Sequence, residues 1–476
     1  MTIALKLATL ALLALAGWGF THRLVPWAFV RAGRLMGFAM KFRPLTEKRV
    51  RRFRSIRRGY WSFVAITTVF VMSLFLELYV NDKPLYVRWG DHRQSPAVAS
   101  WVNFLRPWGH VVDEARAKDF GLEGDGELDY RRFADWVDDP SRIEGEAAKV
   151  EADMAEDEKR FRDLMAASAA QQGLTYDRVE PLPESKLAEQ AKRRAEAAFL
   201  RGLRPDFEAG KGSILMPLVP FSPTKQRLDL PGHPPHKPIG AEGTTEHRAW
   251  PILGTDHSSV DVLSQLLYGF RVSFFFAIVV AFVGYVIGIT VGAVMGYFGG
   301  WTDIVVQRGI EIWSAIPFLY TIIIIASVVK PNFWLLVLML VVLRAWIHIT
   351  YTIRGEFYRE KARDYVQAAR AIGLRDRAIM LRHILPNSLV PVVTYLPFEI
   401  VGYISTLVSL DYLGFGLPQE VPSWGRLLHQ GSEMIEAHPH LITFPVLALA
   451  ATLFCVVMIG EAVREAFDPR VYARLR

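Results

Sequence analysis

Six stretches of the chain are long and apolar enough to cross a lipid bilayer as helices. A transmembrane helix needs about 20 predominantly apolar residues to cross roughly 30 Å of hydrocarbon. The stretches cover residues 60–80, 274–298, 312–329, 333–350, 387–413 and 440–460. Between the first two, residues 81–258 are ordinary polar sequence. The pattern therefore predicts an all-α polytopic membrane protein with six core helices and one large water-exposed insert.

The insert has a helical pattern of its own. Apolar residues recur at helical steps over 143–169, and a second charged helical pattern covers 184–200. Gly173 and a pair of prolines separate the two patterns. They predict a helical hairpin within a mixed or mainly helical domain. Such a hairpin is either plain scaffold or a docking surface for a soluble partner that delivers substrate.

The placement of positive charge predicts the orientation of the chain. Residues 21–58 carry twelve Lys or Arg residues and one acidic residue, and the loop 351–386 carries eight against four. Such basic segments next to spans normally mark the cytoplasmic side. The segment before residue 60, the loop and the C-terminus are therefore predicted to be cytoplasmic, and residues 81–258 periplasmic. Because topology explains the net charge of +7, no nucleic-acid partner is expected.

This interpretation divides the chain into four parts. They are a hydrophobic and basic N-terminal segment, a first span, a periplasmic domain and a membrane core, at 1–58, 59–80, 81–258 and 259–476. Residues 3–20 are apolar apart from Lys6 and predict an extra helix with its N-terminus outside, which gives seven spans. Two alternatives remain for this stretch: a signal sequence cleaved after residues 14–16, or a helix lying flat at the interface.

Composition and motif content exclude several classes of protein. Hydrophobic residues make up 51% of the chain, too many for a wholly soluble protein. The single cysteine, Cys455, excludes an intramolecular disulfide. The sequence contains no nucleophile–base motif, Gly-rich phosphate loop, redox cysteine pair or metal-ligand spacing. We therefore expect neither a catalytic site nor a metal site, and this chain should not bind ATP itself.

The loop 351–386 contains the most informative segment of the sequence. Its middle is built of good helix formers, with the small residues Ala368 and Ala369 predicted on the surface. Gly373 can take the left-handed conformation that ends a helix. Pro386 is expected to break the next helix where the fifth span begins. A short basic helix–turn–helix with small residues on its face is suited to lie in a groove of another protein.

This segment resembles the coupling loop of ABC importer permeases. The resemblance rests on Gln367, Ala368, Ala369, Gly373, Leu385 and Pro386. Gln367 stands where the family consensus has Glu. In that family the coupling loop receives force from a separate ATPase subunit, so the resemblance implies the same role for these positions.

Further motifs resemble the oligopeptide and dipeptide permeases of the same family. They lie before the second span and after the fifth, at Gly254, Thr255, Asp256, Asp261, Asp411, Gly414, Gly416, Trp424 and Gly425. Ser259 and Val260 depart from the Gly-Arg or Gly-Gly that is usual at these two positions. The resemblance implies that this half of the chain has the ABC importer permease fold.

Four stretches resemble the Yej-type subgroup of these permeases, and they lie at 57–61, 81–85, 331–334 and 409–414. This subgroup is implicated in peptide and microcin C uptake. The resemblance implies a permease subunit that imports peptides or peptide-like compounds across a bacterial inner membrane. The implied partners are a second, YejB-like permease, YejF-like ATPase subunits, a YejA-like periplasmic binding protein, the peptide and membrane lipid. ATP and Mg²⁺ would be bound by the ATPase, with no cofactor in this chain. The alternatives are a secondary transporter and a membrane-anchored sensor with an external domain.

One acidic residue, Glu399, lies in the middle of a predicted span. Ionisable residues inside a membrane are costly, so they are functional candidates by default. Glu399 is therefore a candidate for the translocation path, where it could hold a peptide ammonium group or a water chain. The alternative is a partner arginine on the second permease. Arg344 and His348 lie near the cytoplasmic end of the preceding span and can extend to the headgroups, so no role is predicted for them.

Overall fold

The chain divides into two compact units, Met1–Leu76 with Ser222–Arg476, and Glu77–Phe221. The computed structural model describes residues 18–19, 44–105, 129–171, 182–227, 230, 232–239 and 250–467. Apart from residues 18–19, the extra N-terminal helix predicted over 3–20 lies outside the described residues. We call the first unit the membrane unit, because it contains all the candidate spans described below.

Helices dominate the described residues, in agreement with the predicted fold class. In chain order the elements are α1 (Pro44–Ser55), α2 (Arg57–Ser73), α3 (Leu76–Tyr79), β1 (Tyr86–Trp89), β2 (His92–Gln94), α4 (Pro96–Leu105), α5 (Tyr130–Asp138), α6 (Ser141–Gln171), α7 (Glu184–Glu208), β3 (Gly212–Leu215), α8 (Val262–Phe298), α9 (Gly300–Ser314), α10 (Phe318–Val328), α11 (Phe333–Leu340), the π-helical turn π1 (Val341–Ala345), α12 (Ile347–Lys361), α13 (Asp364–Ala371), α14 (Asp376–Ala378), π2 (Ile379–Ile384), α15 (Leu385–Ser388), α16 (Val390–Tyr412), α17 (Trp424–Glu433) and α18 (His440–Phe467).

Three of the described helices, α8, α16 and α18, are long and apolar enough to cross a membrane. Two bent pairs also qualify as broken spans, α9 with α10 at 65° and α11 through α12 at 43°. These helices account for five of the six predicted spans. At the first predicted span, 60–80, α2 ends at Ser73 and the short α3 follows at Leu76, so no single long helix covers this span.

Both bends have local causes. Pro317 lies at the break between α9 and α10, where its missing N–H and its ring interrupt the helical hydrogen bonds. The π-helical turn π1 precedes the break before α12. Wider turns of this kind commonly bend a helix and occur often at functional sites.

A stripe of glycines lets α8 and α12 pack closely in the membrane unit. Gly284, Gly288, Gly292 and Gly296 recur every four residues along α8. A Cβ atom at Gly288 would lie 1.9 Å from Cγ2 of Ile349, so the site has no space for a side chain. Small residues at this spacing bring helix backbones together in membranes. The close packing fixes α12 against α8, and the loop 351–386 continues from α12.

The second unit is a helical domain with a small antiparallel sheet, in the strand order β2-β1-β3. Helices α6 and α7 form the predicted antiparallel hairpin, joined by ion pairs such as Arg193–Asp157 at 2.8 Å. The core of the unit contains Phe133, Trp136 and Phe207. Because the ion pairs are exposed, this apolar core contributes more to the stability of the unit than they do.

The predicted insert, 81–258, extends beyond the second unit, since the chain after Phe221 belongs with the membrane unit. There the amide of Arg227 donates to the carbonyl of Ser259 at 2.8 Å. The amide of Thr255 donates to the carbonyl of His236 at 3.0 Å. Hydropathy cannot reveal this boundary, because the sequence is polar on both sides of it. The periplasmic location of 81–258 remains a prediction.

Candidate functional site

The segment between α12 and α16 is the helix–turn–helix that the sequence predicts, and we call residues 364–388 the elbow. Gly373 follows α13 with a φ of +78°, the left-handed region that favours glycine. The amide of Leu374 donates to the carbonyl of Ala369 at 3.2 Å, which closes the turn as helix C-termini commonly do. The next helix, α14, begins at Asp376, three residues after the glycine.

The elbow exposes Gln367 and Ala368 but buries Ala369, which is only 4% exposed. The prediction that both alanines lie on the surface is therefore wrong for Ala369. Val366 and Ala369 are three residues apart, so both face the core that the elbow shares with α12. The exposed face instead presents Ile372, whose residue surface is 76% exposed. Leu374, two residues further on, is also exposed at 37%, so the elbow presents two apolar side chains on its open side.

Polar side chains fasten the elbow to the helices beside it. The hydroxyl of Tyr297, on α8, donates to the carboxylate of Asp376, and the guanidinium of Arg370 lies 5.1 Å from the centre of the Tyr297 ring. The hydroxyl of Tyr365 donates to the buried carboxylate of Glu360 at 2.7 Å. Burial raises the pKa of Tyr365, which keeps this donor protonated. A displacement of the elbow must therefore carry α8 and α12 with it.

A second buried polar group joins α9 to α12. The carboxylate of Asp303 is 6% exposed and accepts hydrogen bonds from Arg354 at 2.6 Å and from the hydroxyl of Tyr358 at 2.7 Å. The sequence does not show the contacts of Asp303 and Tyr297, because their partners lie more than fifty residues away along the chain. Asp303 lies between the second and third predicted spans and not inside one, so hydropathy gave no signal of its burial.

Pro386 does not break the helix in the predicted way. The chain remains helical from α14 through α15, with Pro386 at the second residue of α15 and the π-helical segment π2 directly before it. Proline cannot donate an amide hydrogen bond, and its ring clashes with the carbonyl four residues earlier. The wider π-helical turns absorb this conflict. The elbow therefore runs into α16 with only a single-residue break at Leu389.

Glu399 has a partner within the chain. Its Oε1 lies 2.7 Å from Nδ1 of His348, on α12, and the His348 ring packs edge-on against Tyr395 at 5.3 Å. The sequence predicted no role for His348, whereas the structure shows that it is the partner of Glu399. The side chain of His348 is 57% exposed and that of Glu399 is 25% exposed, so both reach a face that the described part of the chain leaves open.

Tyrosine hydroxyls surround the same pair. Tyr403, one turn after Glu399 on α16, donates to the carbonyl of Ala345 in π1 at 3.2 Å. The hydroxyl of Tyr285 is buried and has no hydrogen-bond partner among the described residues. The result is a polar cluster inside a bundle of otherwise apolar helices.

The motif before the second predicted span forms a compact loop in which several polar groups bond to one another. Gly254 has a φ of +79°, and a Cβ atom there would lie 2.4 Å from the carbonyl oxygen of His236. Thr255 is fully buried and its hydroxyl accepts the His236 amide at 2.9 Å. Asp256 accepts two amides of the following turn and the side-chain amide of Gln265 at 2.9 Å. These residues therefore act as structural elements of the loop.

Asp261 caps the N-terminus of α8. One carboxylate oxygen accepts both the amide and the hydroxyl of Ser264 at 2.7 Å, the pattern expected of an aspartate N-cap. The residue is fully buried, and burial raises its pKa to about 6. Ser259 has a φ of +62°, which explains why glycine is usual at this position of the motif. Its hydroxyl donates to the carbonyl of Arg227 at 2.8 Å, which offsets part of the strain.

The motif after the fifth predicted span is built around Asp411. Its carboxylate accepts the amide of Leu417 at 2.6 Å and the hydroxyl of Ser423. Gly414 turns the chain with a φ of +81°, and a Cβ atom at Gly416 would lie 1.8 Å from the Asp411 carboxylate. Both glycines are thus required by the geometry of this turn.

Trp424 joins the two motifs. Its ring is 2% exposed, and its Nε1 donates to the carbonyl of Leu266, on α8, at 2.9 Å. Gly269 leaves the space for this ring, since a Cβ atom there would lie 2.7 Å from the indole. Gly425 permits an equally close approach to the carbonyl of Val408. We call the residues 253–266 and 411–425 together the outer motif. Its predicted positions are brought together, as parts of one packed structure.

No group of three or more His, Cys, Asp or Glu side chains in the described ranges is placed to hold a metal ion. The outer motif directs most of its polar groups inward, into hydrogen bonds of its own loops. In the described ranges, the exposed face of the elbow and the Glu399 cluster are therefore the candidate functional features.

Comparison with known proteins extends these observations. Residues 288–472 match the family described as Binding-protein-dependent transport system inner membrane component. The peptidoglycan transport system permease protein YejE of Agrobacterium fabrum is 30% identical over 444 residues, which cover 90% of this chain and 94% of the relative. The inner membrane ABC transporter permease protein YejE of Escherichia coli is 34% identical over 426 residues, which cover 90% and 97%. The oligopeptide transport system permease protein OppC of Haemophilus influenzae is 36% identical over 219 residues, 46% of this chain and 70% of the relative. The similarity to the two YejE proteins therefore extends well beyond the elbow and the outer motif.

Proposed function

The chain belongs to the inner membrane component family of binding-protein-dependent transport systems, and we propose that it imports peptides or peptide-like compounds. It is a multi-pass inner-membrane permease subunit of an ABC transporter, not itself an enzyme. Because its relatives are ABC permeases, the secondary transporter and the membrane-anchored sensor are not favoured.

The proposed substrate class follows from what the relatives are named for. One is named for oligopeptide transport and another for peptidoglycan transport, and peptidoglycan carries short peptides. A cargo with a peptide portion is common to both, and microcin C-like compounds fit the same class. We propose that a YejA-like binding protein delivers this cargo to a pore formed with a second, YejB-like permease.

The proposed source of energy is a YejF-like ATPase that docks on the elbow. Gln367, Ala368 and Ile372 form its exposed face, while Tyr365 and Asp376 hold the elbow to the bundle. The neutral amide of Gln367 replaces the carboxylate usual in this family, so a charge contact through that position is not expected here. ATP and Mg²⁺ bind the ATPase, and the elbow transmits its closure to α12 and α16. The single observation that carries this proposal is an elbow with an exposed face that is held to α8 through Asp376 and to α12 through Tyr365.

The proposed orientation places the elbow and the C-terminus in the cytoplasm and the outer motif at the periplasmic face. It rests on the excess of Lys and Arg in 21–58 and 351–386. In this scheme the second unit is periplasmic, the compartment in which the binding protein acts.

Glu399 and His348 are proposed to line the translocation path. Lipid is an unfavourable surrounding for an ionisable pair, so their open face is better suited to water, substrate or the second permease. A carboxylate paired with a histidine can hold a peptide ammonium group, and the nearby Tyr285 hydroxyl can take part through water.

The elbow is tested by co-purification of the ATPase with the permease. Deletion of 364–377, or the milder change Ala368→Arg, is expected to abolish ATPase capture, since both alter the exposed face. The second permease should still co-purify, which shows that the membrane part is assembled. Gly355→Ala is the matched control, because a Cβ atom there meets nothing within 4 Å. Full ATPase capture by Ala368→Arg would refute docking at the elbow.

The transport path is tested by uptake of a mixed peptide pool into vesicles that contain the purified complex, with and without ATP. Glu399→Gln keeps the shape of the side chain but removes its charge, and we expect uptake to fall about tenfold, the equivalent of roughly 1.4 kcal/mol. ATPase capture should not change. Unaltered uptake would eliminate Glu399 from the path, and absence of ATP-dependent uptake in the unmodified complex would contradict the peptide assignment.

A further inference from the structure

An apolar cavity of about 500 Å³ lies within the membrane unit among α1, α2, α8, α16 and α18. Its wall is formed by aromatic and aliphatic side chains, among them Phe53, Phe63, Phe70, Phe274, Leu396 and Ile459. Cavities of this size are large enough to hold a small-molecule ligand. The space is open on one side, since Phe63 and Val393, which line it, are 36% and 40% exposed, so an apolar ligand can enter it.

The polar lining of this cavity is confined to Thr67 and Arg49. The guanidinium of Arg49 lies 4.7 Å above the ring of Phe467, near the end of α18. Within the described part of the chain, Arg49 makes no ion pair with a carboxylate. By contrast, Arg52 and Arg58 share Glu465, at 3.9 and 3.7 Å. The cavity therefore has one cation at its rim that no carboxylate of the described residues neutralises.

Helix α1 divides its residues between this cavity and the surroundings. Val50 and Phe53 line the cavity, while Lys48, Arg51 and Arg54 are exposed. A short helix with an apolar face and a strongly basic face is typical of the lipid headgroup region. Basic pockets between membrane helices on the cytoplasmic side are known to suit anionic lipid headgroups. Thus both the shape and the charge of the site point to the same kind of ligand.

We propose that this cavity is a binding site for one anionic phospholipid, with an acyl chain inside the cavity and the phosphate at Arg49. Leu396 and Pro397 of α16 form part of the wall, so the bound lipid contacts the helix that follows the elbow. In the predicted orientation of the chain, the lipid would lie in the inner leaflet. It does not depend on the substrate of the transporter.

Native mass spectrometry of the purified transporter, detergent-solubilised and incubated with equal amounts of phosphatidylglycerol and phosphatidylethanolamine of the same chain composition, tests the site. We expect phosphatidylglycerol to be retained about fivefold over phosphatidylethanolamine, the ratio that one cation beside an anionic headgroup supplies. Arg49→Ala should remove this preference. Arg54→Ala is the control on the same helix, because Arg54 is exposed and does not line the cavity.

The acyl-chain position is tested by filling the cavity. Val393 lines the space and is 40% exposed, so Val393→Phe should reduce retention of both lipids while the transporter still assembles. Equal retention of the two lipids, or an unaltered preference in Arg49→Ala, would overturn the proposal. So would an efficient crosslink from Val393→Cys, in a Cys455→Ser background, to the second permease, because the cavity would then be occupied by protein. Peptide uptake is not part of these measurements, so a wrong substrate assignment would leave their result unchanged.

Discussion

The elbow and the outer motif both contain family motif positions of the membrane unit. They differ in whether those positions are buried within the motif or exposed. In the outer motif, Asp256, Asp261 and Asp411 are buried and their carboxylates accept hydrogen bonds from the loop itself. In the elbow, Gln367 and Ile372 are exposed, and the buried groups hold the segment to α8 and α12. The outer motif thus serves the fold, whereas the elbow offers a surface.

The difference shows that membership of a family motif does not by itself mark a residue as functional. Gly254, Gly416 and Gly425 occupy positions where a Cβ atom would collide with neighbouring atoms. Gly373 belongs to the other motif, and a Cβ atom there would meet nothing within 4 Å, so that its role is the left-handed turn alone. Substitutions in the outer motif should therefore reduce stability, and substitutions on the open face of the elbow should reduce coupling.

The largest expected effect is at Trp424. Trp424→Ala removes a ring that is 2% exposed and its hydrogen bond to Leu266, so we expect a loss of about 3–5 kcal/mol in the free energy of unfolding. The measurement is thermal unfolding of the detergent-solubilised permease. Trp301→Ala is the control, because Trp301 is 81% exposed and its loss should change little. Equal destabilisation by both variants would contradict a structural role for the outer motif.

The next effect is a pH dependence that arises from Asp261. Its pKa rises from the ordinary value of 3.8 to about 6 on folding, because burial disfavours the charged carboxylate. The contribution of Asp261 to the free energy of unfolding is therefore complete below about pH 4. It is lost as the pH rises through about 6, by about 3 kcal/mol in total.

Asp261→Asn retains an N-cap side chain but cannot titrate. Relative to this variant, the original chain should lose melting temperature as the pH rises from about 4 to 7. The difference between the two proteins should then level off above that range. A constant difference across these pH values would show that the buried carboxylate does not titrate there. Other titrating groups cancel in the comparison, since both proteins contain them.

The smallest expected change in stability is at Ile372. Ile372→Asp places a charge on a side chain that is already exposed, so unfolding should change by less than about 0.5 kcal/mol. ATPase binding should nevertheless weaken about tenfold or more, because a charge enters an apolar contact. Ile435→Asp is the matched control, since Ile435 is 51% exposed and lies just beyond α17 near the outer motif. Equal loss of ATPase binding in both variants would remove the distinction between the two regions.

Much of the membrane unit could be predicted from local patterns. Apolar runs identified five of the spans that the described helices contain, and Gly373 correctly marked the end of α13. Prediction failed where the outcome depended on distant partners. Ala369 was predicted to be exposed like its neighbour Ala368, but it is buried because it packs in the core shared with α12. His348 seemed free to extend to the headgroups, but its partner is 51 residues away along the chain.

By itself the sequence determined the helical class, the position of most spans and the order of helix, turn and helix in the elbow, because hydrophobic periodicity, glycine and chain charge act over short distances. Only the tertiary structure decided which residues face outward, which carboxylates are buried and where the second unit ends. These outcomes depend on contacts between segments far apart in sequence, such as Trp424 with α8 and Tyr297 with the elbow. Packing of that kind leaves no periodic signal in the chain.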